Sequence, residues 1–113
     1  NTASYRARQP LSADERAVLG RAVDAIRALA VVPCSGCGYC VGGCPAHVMI
    51  PDVMEILNLE AMTRDPSFAK ATYGWRTEAG RASWCIGCGA CEAECPQGID
   101  IIRQLKIAAE KYE

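Results

Sequence analysis

Eight cysteines carry the most specific chemistry in this 113-residue sequence, and all lie in two runs, CSGCGYCVGGCP from Cys34 to Pro45 and CIGCGACEAECP from Cys85 to Pro96. Both runs read CxxCxxCxxxCP. That is the bacterial-type spacing for ligating iron–sulfur clusters, in which the fourth cysteine of each run serves the other cluster where two are present. A cubane presents iron corners a few ångströms apart, so three thiolates must come from one tight loop, with glycines that let the backbone approach and aim N–H groups at the sulfurs. The fourth corner faces away from that loop. Cys44 stands one helical turn after Cys40 and projects onward, and Pro45 interrupts the turn. The expected ligand sets are Cys34, Cys37, Cys40 and Cys95 for one 4Fe-4S cluster, and Cys85, Cys88, Cys91 and Cys44 for the other.

Other uses of these thiols fit the pattern less well. A zinc ion takes two CxxC knuckles and leaves the third cysteine of each run redundant. Disulfides place no demand on a repeated spacing. Clusters serving only as structural staples stay open at this level, because metal binding supplies folding energy to small domains. His47 follows Cys44 by three residues, but all eight ligand positions are filled by cysteines, so it is expected at the surface or at a helix start. Tyr39, Trp75 and Trp84 are expected to pack as ordinary apolar residues rather than to shield the clusters. Glu92 and Glu94 read as a solvated helical face in preference to a docking surface.

The elements that position the runs are helical. Ser12 and Glu15 form a capping box after Pro10, and Val18, Leu19, Ala22, Val23, Ile26 and Leu29 recur at helical spacing, predicting a helix from Ala13 to Ala30 that stops before Pro33. Pro51 suits a first turn, and Val53, Ile56, Leu57 and Met62 extend that helix to the Asp65-Pro66 break. A short helix is predicted from Ser67 to Trp75, and another begins at Asp100 as N-cap, with Ile101, Ile102, Leu105, Ala108 and Ala109 on one face. No segment alternates as a strand does. A repeat of period 51 maps the four cysteines of one run onto those of the other, Pro45 onto Pro96, Val48 onto Ile99 and Ile50 onto Ile101. The fold expected is all-α: two pseudo-symmetric cysteine loops between short helices, in a single domain over 1–113.

Composition sets the remaining bounds. Half the residues are apolar but only 6% are aromatic, so burial rests on small aliphatic side chains. No stretch has the length of a membrane span or the core of a signal peptide, and the expected location is the cytoplasm, where thiols stay reduced. The net charge of -1 becomes about -5 once eight thiolates and two cores of about +2 each are counted, so the electrostatic partner expected from overall charge is basic. The first third is mildly basic through Arg6, Arg8, Arg16, Arg21 and Arg27, far short of a nucleic-acid footprint. A start at Asn1 rather than Met leads to the expectation that the chain is part of a longer one.

The 40-residue helical linker from Pro45 to Trp84 departs from the compact βαβ-type ferredoxins and is similar to the alpha-helical ferredoxin arrangement of fumarate reductase and succinate dehydrogenase iron-sulfur subunits. PLSADE, CSGCGYCVGGCPAHVMIP and CIGCGACEAECPQGIDI together more closely resemble the C-terminal ferredoxin-like domain of some aldo/keto reductases. His47 departs from that pattern, which has a smaller or more flexible residue there. The resemblance implies an attached barrel that binds NADPH and carries a proton-donating tyrosine. With no GxGxxG or phosphate loop, this chain alone is expected to perform no hydride transfer. Its expected role is to pass electrons to or from a redox partner or an attached reductase domain, without nucleic acid or membrane insertion.

Overall fold

The computed structural model describes residues 2–3, 10–29 and 31–113. Among them there is no strand, and the elements are all helices and turns. Helix α1 spans Ala13–Ala28, opened by the capping box: Ser12 Oγ accepts the Glu15 N–H at 3.2 Å and Glu15 Oε2 accepts the Ser12 N–H at 2.8 Å. It ends at Leu29, whose backbone is extended; Ala30, the expected last residue, lies outside the described residues.

Two one-turn helices sit inside the cysteine runs, α2 at Tyr39–Gly42 and α5 at Ala90–Ala93. The longer ones are α3 (Ile50–Thr63), α4 (Pro66–Arg76) and α6 (Ile101–Tyr112), with a 3-10 turn at Ala82–Trp84. Their starts are local. Asp65 Oδ1 accepts the Phe68 N–H at 2.9 Å with Pro66 in the first turn, and Asp100 Oδ1 accepts the Arg103 N–H at 3.1 Å.

The core forms where α3, α4 and α6 meet. Val53, Met54 and Ile56 from α3, Ala69 and Tyr73 from α4, and Leu105, Ala108 and Tyr112 from α6 are buried together. Each fully buried aliphatic side chain contributes about 2 kcal/mol. Polar ties hold the same helices: Tyr73 donates its hydroxyl hydrogen to Glu113 and accepts the Ala82 N–H at 2.8 Å. Glu60 accepts from Lys111 Nζ and from the Tyr112 hydroxyl, each at 2.6 Å.

Hydrogen bonds from Lys111 and Tyr112 hold the Glu60 carboxyl below its ordinary value of 4.5. A depressed carboxylate adds stability above its unfolded pKa and loses it as pH falls through the folded one. Glu60→Gln is therefore expected to lower the urea midpoint at neutral pH, and its deficit against the parent should shrink as the pH drops below about 4.5.

Helix α1 forms as its spacing predicts but does not join the core. Its apolar stripe exists, but none of its residues is buried, and Val18, Leu19, Val23 and Ile26 are all exposed. Helical periodicity fixes which side chains share a face; it does not provide a surface for that face to meet.

Candidate metal centres

The repeat of 51 is geometric as well as sequential. Gly38 and Gly89 cap the two short helices at φ 78° and 80°, and α3 and α6 begin at the equivalent Ile50 and Ile101. Matching backbone bonds close each run: Cys44 N–H to Val41 O and Cys95 N–H to Glu92 O, both at 3.2 Å, then His47 N–H to Cys44 O and Gly98 N–H to Cys95 O, both at 3.1 Å.

His47 stands where the second copy has Gly98, and both are left-handed, at φ 51° and 60°. The turn that frees the chain for α3 needs that conformation, which costs an L-residue about 1 kcal/mol. His47→Gly is accordingly expected to raise unfolding stability by about 0.5–1 kcal/mol despite the added chain entropy, measured by denaturant titration.

Two recesses lie between the copies. One, with about 360 Å³ of empty space partly open to solvent, is lined by Cys34, Cys37, Cys40 and Cys95 together with Ile50, Met54 and Ile101. The other, about 300 Å³, is lined by Cys44, Cys85, Cys88 and Cys91 with Ile50, Ile102 and Leu105. Ile50 lines both and forms the wall between them. All eight thiols are unpaired; Cys37 and Cys88 are exposed, and Cys91 is buried.

Burial pushes the Cys40 thiol up, helped by the charges of Cys34, Cys37 and Cys95; burial likewise raises Cys91, with Glu92 and Cys85 adding to it. Iron must displace those protons, so loading of both sites is favoured by alkaline pH.

The donor set fits clusters. Four thiols around each recess supply the soft ligands that iron–sulfur cores require.

Several neighbours differ from the expectations. Tyr39, Trp75 and Trp84 are not ordinary packing residues; all three are exposed, Trp75 at 71%. Glu92 is more than a solvated face, because its Oε1 accepts the Ile102 N–H at 2.9 Å and so caps α6 across the cluster turn. Glu94 is exposed and lines the recess of Cys34. The Asn58 side-chain amide accepts the Val32 N–H at 2.6 Å through Oδ1 and donates to the Val32 carbonyl at 2.8 Å through Nδ2, strapping the approach to Cys34. Arg76 bridges Asp52 at 2.5 Å and Glu55 at 2.8 Å. Those last contacts span 21–26 residues, and no local pattern in the sequence announces them.

An all-helical domain with two four-thiol recesses is an iron–sulfur protein of the dicluster class. The chain belongs to the 4Fe-4S dicluster domain family, which it matches over residues 33–100. Two 4Fe-4S clusters are its cofactors. It is also similar to the acetyl-CoA decarbonylase/synthase complex subunit alpha 1 of Methanosarcina barkeri, at 31% identity over 81 residues. That alignment covers 72% of this chain and 8% of the relative's length. No solved structure gives a significant match. No helix among the described residues is long and apolar enough to cross a membrane.

Proposed function

We propose that this domain carries single electrons between a redox partner and a reductase site on an attached or associated protein. The observation that carries the reading is the pair of recesses sharing the Ile50 wall, each reaching the surface through an exposed cysteine, Cys37 on one side and Cys88 on the other. Each cluster, when bound, takes up or releases one electron. The chain supplies the rest: the shared wall keeps the two sites adjacent, and buried aliphatic side chains limit water around them.

The ligand sets of this reading are Cys34, Cys37, Cys40 and Cys95 on one cluster and Cys85, Cys88, Cys91 and Cys44 on the other, supported by the lining of the recesses. The assignment ties the halves of the chain together, since each run lends one thiol to its copy. The domain works as part of a longer cytoplasmic oxidoreductase, and the motifs similar to those of aldo/keto reductases favour a reductase of that kind. The relative's name, a subunit of a complex, supports association with a partner protein.

Reduction of fully iron-loaded protein with dithionite is expected to give the paramagnetic signal of two magnetically interacting clusters. Full iron loading without any such signal would show that the clusters are staples.

A further inference from the structure

Where two copies of one loop differ, the difference marks surroundings that only one of them meets. A cleft opens beside each cysteine run, about 640 Å³ next to Cys34 and about 680 Å³ next to Cys85. Their walls correspond at the spacing of 51: Pro51 with Ile102, Glu55 with Lys106, and Asn58 with Ala109. Ser35 of the first cleft becomes Ile86 in the second, and Asp52 corresponds to Arg103 on α6. Two acids have thus become two bases, and two polar positions have become apolar.

The first cleft is occupied with its own structure. Asp52 and Glu55 share Arg76, and Asn58 holds the Val32 strap. In the second, Lys106 takes part in none of the ion pairs found among the described residues. Ile86, in its wall, is 69% exposed. Two carboxylates of this side are engaged internally: Glu92 accepts from Ile102 N–H, and Glu113 accepts from Ser83 N–H and Tyr73.

We propose that the cleft beside Cys85 is the docking face for a redox protein whose contact surface is apolar at its centre and acidic at its rim. The inference rests on the electron-transfer reading above and adds where the partner sits and what charge it carries. Exposed Ile86 offers the apolar contact, and Lys106, with Arg103 one turn before it on α6, offers the complementary charge. The loaded domain is negative as a whole, at about -5, so an acidic partner is repelled elsewhere and is oriented onto this basic spot. One electron leaves the reduced domain at this face for each ferric haem, in the assay below, that becomes ferrous.

Stopped-flow oxidation of the dithionite-reduced, cluster-loaded chain by ferric cytochrome b5, an acidic haem protein, tests the proposal. The second-order rate should fall as salt is added, drop about tenfold in Lys106→Glu, and drop severalfold in Ile86→Ser. Glu55→Gln, at the equivalent position of the first cleft, should stay within about twofold, with iron content checked for every variant. Basic cytochrome c should respond oppositely to Lys106→Glu. A Lys106→Glu rate with cytochrome b5 equal to the parent's, or a loss in Glu55→Gln as large, overturns the docking face while leaving electron transfer standing. Clusters that load but resist dithionite overturn the underlying reading instead.

Discussion

Cys44→Ser is expected to remove about half the iron, and the iron lost is that of the cluster held by Cys85, Cys88 and Cys91, far away in sequence. The reason is geometric: Cys44 lines the recess of the second run and is absent from the lining of the first. A serine hydroxyl is a hard, weakly acidic donor and a poor substitute for thiolate. Double substitutions settle which cluster is missing. Cys44→Ser with Cys88→Ser should cost no more iron than either alone, because both act on one site, whereas Cys44→Ser with Cys37→Ser should empty both. Cys95→Ser should behave as the mirror image. Retention of about half the iron by the Cys44→Ser, Cys37→Ser pair would assign Cys44 to its own run.

Gly80→Ala is expected to destabilise the folded domain by about 3 kcal/mol, read from urea unfolding of the cluster-loaded protein. The Gly80 carbonyl accepts the Met49 N–H at 2.9 Å, and its own N–H donates to Thr77 O at 2.9 Å. A methyl group there would overlap the His47 carbonyl oxygen and come within 2.9 Å of Met49 N and 3.0 Å of Met49 Cγ. Two of those three obstacles are backbone, which cannot swing aside as a side chain does. The segment displaced, His47 to Met49, connects Cys44 and Pro45 to α3, so lost stability should be accompanied by weaker iron retention at the recess of Cys85. Gly74→Ala is the control: it lies in α4, no neighbouring atom comes within 4 Å of where the new methyl group would stand, and alanine is the better helix former.

The helix starts at Ser12 and Asp100 were legible because capping is a bond between residues three apart, whereas Asp65-Pro66 reads only as a break and the structure makes Asp65 the cap of a helix that begins at Pro66 rather than Ser67. The strained turn at His47 was half legible. Its alignment with Gly98 flags the position, but only the backbone shows φ 51°. The exposed stripe of α1 and the close approach of Gly80 to His47 were not legible, since each depends on what lies opposite in space. Glu92 is similar: in sequence it is one acid in a turn, in the structure the acceptor for the Ile102 N–H.

What the sequence determined by itself is the cofactor type and the helical class. Thiolate spacing is a short-range constraint matched to the corners of a cubane, and helical periodicity is likewise local. The tertiary structure alone decided that Ile50 walls both recesses, that Arg76 and Asn58 line one cleft and are tied up by internal bonds there, and that the copy beside Cys85 is left apolar with Lys106 in its wall. These features join residues brought together by the packing of α3, α4 and α6, and contacts across such distances leave no periodic trace in the chain.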